Sequence, residues 1–203
     1  MMGNGLGRMV ISRKSGKERF HNGETRTDFD LLDFWQWSAS DLIGNTARGV
    51  LAEYLVAKAL GISTTGVREA WLAWDLTTAE GVRIQVKSAA FLQSWHQSKL
   101  TEIKFEVSPK KGWNPDTNEL EALAKHHADL YIFALLAHID KVTVDPCDLR
   151  QWKFFVFPTQ ALNNRNRSQQ SITLRSLETL AGPPTDFWHL SDRVKLASAL
   201  ASP

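Results

Sequence analysis

The stretch WDLTTAEGVRIQVKS occupies residues 74–88 and predicts a turn followed by a β-strand. Residues 82–88 alternate between apolar and polar side chains, which is typical of a strand with one buried face. Residues 67–74 predict the partner strand, and the segment 79–81, which ends in glycine, predicts the turn between them. We therefore expect a hairpin whose second strand buries one face and presents polar groups on the other.

Three side chains of this hairpin form a candidate site. Gln85 and Lys87 are two residues apart on one strand and point to the same face, and Asp75 stands at the end of the other strand. A carboxylate, an amide oxygen and an ammonium in one small volume suit a hard divalent cation beside a phosphate. The alternative is an ordinary hairpin with a polar outer face.

A helix is predicted at residues 42–60, because its apolar residues recur at helical spacing and Gly61 follows as a stop signal. Glu53 is the lone charge between residues 49 and 57. It shares a stripe with Gly49 and Asn45, four and eight positions earlier. Glu53 therefore joins the candidate site, although a helix-favouring glutamate on the solvent side is the alternative.

The other predicted elements surround this helix and hairpin. They are a helix at 29–37, strands at 104–108, 130–137 and 154–157, and helices at 119–127 and 191–200. The order predicts an α/β or α+β body around a mixed sheet, with the apolar run 130–137 as its buried strand. We expect a flexible basic arm at residues 1–28 and one domain at 29–203. Its core covers about residues 42–157, and residues 158–203 form a C-terminal extension.

Composition limits the class of protein. The chain has 203 residues, of which 43% are apolar, so it can bury a sizeable core. Cys147 is its one cysteine, which excludes an internal disulfide and a multi-cysteine zinc site and favours a reducing, cytoplasmic location. No apolar run approaches the length of a membrane span, so no membrane association is expected.

Charge is unevenly distributed although the formal net charge is only +2. The first 20 residues and the segment 141–175 are rich in lysine and arginine, which suits a polyanionic partner, although solvated surface is the alternative. Predicted nucleic-acid contacts are Asn45, Arg48, Lys110, Lys111, Arg165 and Arg167.

Two further features have structural alternatives. His126, His127 and Asp129 form a weak metal pattern, and histidines at the end of a helix are the favoured interpretation. Trp95 and Trp113 lie in connections, where packing over the sheet edge is favoured over stacking on bases.

The order of these residues resembles the PD-(D/E)XK nuclease superfamily. The matching residues are Glu53 in a helix, Asp75 at a strand end, and Gln85 and Lys87 in the next strand, within residues 42–157. Gln85 stands where this superfamily usually has an acid, so the chain resembles a Gln-x-Lys variant. The resemblance implies a restriction-endonuclease-like α/β fold, with a central mixed β-sheet flanked by helices.

The resemblance also implies a function, namely divalent-metal-dependent endonucleolytic hydrolysis of DNA in restriction or repair. Mg²⁺, or Mn²⁺ in its place, would be held by Asp75, Gln85 and the carbonyl of Val86. Glu53 would bind it through water or hold a second metal ion. Lys87 would orient the attacking water. Double-stranded DNA and a homodimer are expected by the same resemblance. The alternative, which Gln85 favours, is a non-catalytic nucleic-acid-binding or interaction module on the same fold.

Overall fold

The structure, a computed structural model, describes residues 7–165 and 170–201. Its strands are β1 (Arg19–Asn22), β2 (Thr25–Asp30), β3 (Leu76–Thr77), β4 (Arg83–Ala90), β5 (Lys104–Glu106), β6 (Trp113–Asn114), β7 (Glu119–Leu120), β8 (Leu130–Leu136), β9 (Trp152–Pro158) and β10 (Ser171–Thr173). Its helices are α1 (Leu31–Ala39), α2 (Asn45–Ala59), α3 (Thr159–Asn163), α4 (Leu174–Ala181) and α5 (Leu190–Ala201), and a 3-10 turn covers Leu149–Gln151.

The central sheet is mixed and has the strand order β3-β4-β8-β9. β4 runs parallel to β8, whereas β3 and β9 run antiparallel to their neighbours. α2 and α5 pack on one face of this sheet, and β5, β10 and α4 lie against the other face. This central mixed sheet flanked by helices confirms the predicted α/β fold class.

β8 forms the buried centre of the sheet, as its apolar run LYIFALL predicts, and all of its residues are buried. Alternate side chains enter two separate cores, so Ile132 packs towards α2 while Phe133 packs towards β5 and α4. The parallel register pairs Gln85 with Tyr131 and Lys87 with Phe133. Gln85 and Lys87 therefore lie on the Phe133 face of the sheet.

The helix predicted at 42–60 is α2, which begins later than predicted and ends as predicted. Gly61 has a φ of +67°, which glycine adopts without strain. The N–H groups of Gly61 and Ile62 donate to the carbonyls of Lys58 (3.3 Å) and Ala57 (2.9 Å). This Schellman arrangement satisfies carbonyls at the end of α2 and fixes where the chain leaves the helix.

Most other predicted elements lie near their predicted positions. The strands predicted at 82–88, 104–108, 130–137 and 154–157 are β4, β5, β8 and β9, and the helices predicted at 29–37 and 191–200 are α1 and α5. β5 pairs with β10 outside the central sheet, which the sequence did not predict.

Within the described residues, none of the helices has the length and apolar character that crossing a membrane requires.

The strand predicted at 67–74 is wrong, because this segment is a loop with turns and β3 begins only after Asp75. The edge of β4 explains the difference. The Asp75 N–H donates to the Ile84 carbonyl (2.9 Å), but Asp75 Oδ2 accepts the next N–H along that edge, from Val86, at 2.6 Å. A side-chain carboxylate thus takes the N–H that a longer partner strand would need, so the ladder stops there.

The helix predicted at 119–127 is also wrong. β6 and β7 form a hairpin there, with Asn118 at a φ of +59°. Lys110 before this hairpin and Lys125 after it exchange two backbone hydrogen bonds of 3.0 Å. These non-local bonds hold an extended backbone where the local sequence favours a helix, so tertiary contacts override helix propensity.

The segment predicted as a flexible arm contains a hairpin in its described part. β1 and β2 pair antiparallel, and α1 follows with a capping box between Asp30 and Asp33. None of the residues of α1 is buried. The division of the chain into an arm, residues 1–28, and one domain, residues 29–203, stays a prediction.

Candidate active site

Asp75 lies at the edge of β4 that β3 leaves open. Its Oδ2 accepts hydrogen bonds from the Val86 N–H (2.6 Å) and from Gln85 Nε2. Its Oδ1 accepts no hydrogen bond from the residues that the structure describes. Two donors therefore fix the carboxylate and leave one of its oxygens available to a ligand.

A cavity of about 810 Å³, which we call the cleft, brings the three hairpin residues together. Its lining is Ala70, Trp71, Leu72, Ala73, Asp75, Gln85, Lys87, Lys110, Lys111 and Trp113. Gln85 and Lys87 reach it from one face of β4, and Asp75 reaches it from the strand edge. The cleft therefore joins one acidic, one amide and three cationic side chains between two tryptophans.

Burial dominates the electrostatics of the cleft. It raises the pKa of Asp75 to about 6, with a second contribution from the charge of Glu53, against the opposing effects of the Val86 N–H and Lys87. Burial also lowers the pKa of Lys87, although the charge of Asp75 opposes this shift. Asp75 and Lys87 therefore each lack the solvation or the partners that would keep their pKa at its ordinary value. This is typical of residues that bind a ligand or take part in catalysis.

Glu53 lies on the other side of Asp75. A second cavity, of about 410 Å³, is lined by Glu53, Arg68 and Asp75 among others, so Asp75 borders both cavities. Arg68 holds the Glu53 carboxylate in a bidentate ion pair, with Nε at 2.5 Å from Oε2 and Nη2 at 2.7 Å from Oε1. The Glu53 side chain is only 13% exposed. Of the four predicted catalytic residues, Glu53 therefore lies outside the lining of the cleft.

The predicted nucleic-acid contacts are divided. Lys110 and Lys111 line the cleft, as a role in binding phosphates requires. Arg48 is only 4% exposed and donates to the Ile43 carbonyl and to Asn45 Oδ1, both at 2.7 Å, so its guanidinium is bonded within the protein, whereas Asn45 itself is exposed. Arg165 is partly buried after α3, and Arg167 lies outside the described residues.

The sequence did not single out Arg68 or Trp71, because both fall in the segment predicted as a strand. Trp71 is 75% exposed and meets Trp113 edge to face, with ring centroids 6.0 Å apart. Trp113, expected to pack over the sheet, instead lines the cleft. Residues 67–74 lack the alternation of a half-buried strand, and this absence was the signal that the segment is a loop rather than a strand.

The two adjacent histidines support the wall of the cleft. His126 Nε2 lies 2.8 Å from the Val107 carbonyl, and His127 Nε2 lies 2.9 Å from the Lys110 carbonyl. Since a carbonyl only accepts, both nitrogens donate. The favoured interpretation as helix-end histidines is wrong, because the described structure has no helix there; these residues tie the loop of Lys110 to the start of β8.

The donors around Asp75 fit a hard cation. The side-chain oxygens of the cleft residues that accept no hydrogen bond from the described residues are Asp75 Oδ1 and Gln85 Oε1. The Val86 carbonyl faces the same strand edge, because the N–H and C=O of a strand residue point in the same direction. Among the described residues, no group of three or more His, Cys, Asp or Glu side chains is placed to hold a metal. This oxygen-only set suits an ion that keeps several waters, as Mg²⁺ does, better than zinc.

The chain matches the sequence model of the bacteriophage T4 endonuclease IV family over residues 5–176. The match spans the cleft, α2 and the whole central sheet. No curated protein matches the chain significantly. The chain therefore belongs to the bacteriophage T4 endonuclease IV family.

Proposed function

We propose that this member of an endonuclease family hydrolyses phosphodiester bonds of DNA in the cleft, with a divalent metal ion held at Asp75. The observation that carries the proposal is the convergence of Asp75, Gln85 and Lys87 in one cavity. The family name supports a polynucleotide as the substrate. The cations of the cleft suit the phosphate backbone of such a substrate.

We further propose that the core is a Gln-x-Lys variant of the PD-(D/E)XK nucleases. Three features support this relationship: α2 carries an acid, Asp75 precedes a short antiparallel strand, and β4 bears Gln85 and Lys87 beside the parallel strand β8. Double-stranded DNA, a homodimer and a role in restriction or repair are predictions from the same resemblance.

Asp75 Oδ1, Gln85 Oε1 and the Val86 carbonyl would hold Mg²⁺, or Mn²⁺ in its place. When bound, the ion would polarise a phosphoryl oxygen and make a nucleophilic water more acidic. Gln85 Nε2 would keep donating to Asp75 Oδ2, so the amide orients the carboxylate while its oxygen faces the ion. Because Gln85 is neutral, the three ligands carry a single negative charge, which predicts weaker metal binding than an acid at that position would give.

Lys87 would act on the substrate side of the cleft. Its half-buried ammonium would orient the attacking water and offset the charge that develops on the phosphoryl oxygens in the transition state. A charge removed from bulk water acts at lower effective dielectric, and its effect on the transition state is therefore larger than at the surface. Lys110 and Lys111 would bind phosphates on either side of the bond that is cut.

Incubation of the purified protein with plasmid DNA tests this proposal. Methylated and unmethylated plasmid, each as intact duplex and as denatured strands, would be incubated with Mg²⁺, with Mn²⁺ or with EDTA. We expect cleavage with either metal, none in EDTA and none by Asp75→Ala. The absence of cleavage under every condition contradicts an enzymatic function.

Titration with Mn²⁺ separates the enzyme from the non-catalytic module. The hydrogen bond from the neutral Gln85 amide to Asp75 is the feature that favours the module. We expect Mn²⁺ binding by the wild type and its loss in Asp75→Ala. DNA binding that depends on salt but is indifferent to metal and to Asp75 would support the module instead.

A further inference from the structure

Arg68 is held beside the cleft by a carboxylate that has no other partner among the described residues. Glu53 Oε2 and Oε1 accept from its Nε and Nη2, so one edge of the planar guanidinium is occupied. The opposite edge, formed by Nη1 and the second proton of Nη2, donates to none of the residues that the structure describes. An arginine held along one edge is oriented to bind a second oxyanion with the other.

The surroundings of Arg68 favour an anion at this free edge. Arg68 is 41% exposed, so its guanidinium reaches solvent, whereas the Glu53 side chain is mostly buried. Arg68 and Asp75 line the same cavity, and the charge of Arg68 opposes the increase in the pKa of Asp75. The guanidinium therefore borders the second cavity together with the carboxylate around which a scissile phosphate would lie.

We propose that Arg68 binds a phosphate of the bound DNA next to Asp75, and that Glu53 is the positioning residue that aims Arg68. This inference rests on the proposed function and assigns Glu53 a role other than the metal ligation that the sequence predicts. Both oxygens of this carboxylate already accept from the guanidinium, so a metal ion would compete with Arg68 for Glu53. Releasing it would leave a mostly buried charge without its partner, which is costly.

A binding experiment tests the pair without relying on cleavage. A fluorescent oligonucleotide would be titrated with protein in EDTA at several salt concentrations, using the wild type, Arg68→Ala, Glu53→Gln and the double variant. We expect Arg68→Ala to weaken binding on the order of tenfold and to reduce the salt slope by about one, because one phosphate contact is lost. Glu53→Gln should weaken binding in the wild-type background and have no further effect in the Arg68→Ala background.

Further controls show whether the guanidinium group of Arg68 itself contacts the DNA. Arg150→Ala removes a bidentate arginine–carboxylate pair, with Asp148, on an arginine that is 90% exposed and does not line the cleft, so it should leave DNA affinity unchanged. Added guanidinium ion should restore binding to Arg68→Ala but not to a variant of Lys110. Arg68→Lys, which keeps the charge, should retain part of the affinity. Thermal melts would show which variants fold, and Arg68→Lys and Glu53→Gln keep the test decisive if Arg68→Ala does not fold.

Mn²⁺ affinity supplies the result that would overturn the inference. We expect Glu53→Gln to bind Mn²⁺ within about twofold of the wild type, since the metal is assigned to Asp75, Gln85 and Val86. If Glu53→Gln weakens Mn²⁺ binding tenfold or more and leaves the salt slope of DNA binding unchanged, Glu53 is a metal ligand and the inference is wrong. Cleavage that fails with every metal would contradict the proposed function alone, because the DNA and Mn²⁺ titrations do not depend on turnover.

Discussion

The two edges of β4 differ in almost every physical respect. Along one edge, β4 pairs with β8 from Ile84 to Ala90, and the side chains of β8 are buried in two apolar cores. Along the other edge, β3 pairs with only two residues, and the carboxylate of Asp75 then replaces a backbone partner. The first edge gains stability from apolar burial, whereas the second keeps poorly solvated charges together. A strand that is stable on one edge can hold poorly solvated charges on the other.

The stable edge gives the largest expected effect. Phe133 is the register partner of Lys87, is 0% exposed and meets the ring of Phe105 at 5.0 Å. Phe133→Ala should lower the free energy of unfolding by about 3–5 kcal/mol, because it leaves a cavity in the core. Urea unfolding followed by circular dichroism measures this change. A loss below about 1 kcal/mol would mean that the two edges do not differ as described.

At the open edge, substitution of Asp75 should raise the free energy of unfolding rather than lower it. Its pKa is about 6 in the folded protein against the ordinary 3.8, so the folded state binds a proton more tightly than the unfolded state does. The stabilisation from protonated Asp75 is complete below about pH 4 and is lost as the pH rises through 6. In metal-free protein at pH 8, Asp75→Asn should therefore raise the free energy of unfolding by up to about 3 kcal/mol.

Urea unfolding of both proteins between pH 4 and pH 8 checks this prediction. The stabilisation by Asp75→Asn should shrink towards zero at the acid end. A difference between the two proteins that does not change with pH would show that Asp75 has an ordinary pKa.

A smaller effect is expected from the cations at the rim of the cleft. Removing both Lys110 and Lys111 should reduce the salt slope of DNA binding by about two and weaken binding on the order of ten- to a hundredfold, because two phosphate contacts are lost. Stability should change little, since the ion pair of Lys110 with Glu106 is exposed and 3.6 Å long. Fluorescence anisotropy measures the affinity. Lys153→Ala with Lys195→Ala is the matched control, and an equal loss in this control would make the effect one of net charge.

The same contrast explains what the sequence could predict. β4, β8 and α2 have strong periodicity and pack on apolar cores, so their positions and the shared face of Gln85 and Lys87 follow from pattern alone. The loop 67–74 and the segment 119–127 do not follow from the local pattern, because hydrogen bonds between distant parts of the chain set their backbones. These bonds are donated by the Val86 N–H to Asp75 and exchanged between Lys110 and Lys125. No local pattern encodes such bonds. The partnership of Glu53 with Arg68 was missed for this reason.

The central claim is that Lys87 acts on the reaction at Asp75, and a single-turnover cleavage assay with Mn²⁺ tests it most directly. Lys87→Ala should cut DNA about a hundred- to a thousandfold more slowly than the wild type, because it loses the half-buried charge that is proposed to stabilise the transition state. Its affinities for Mn²⁺ and for DNA should stay within a few fold of the wild type. If Lys87→Ala cuts DNA as fast as the wild type, the cleft is not the active site as described.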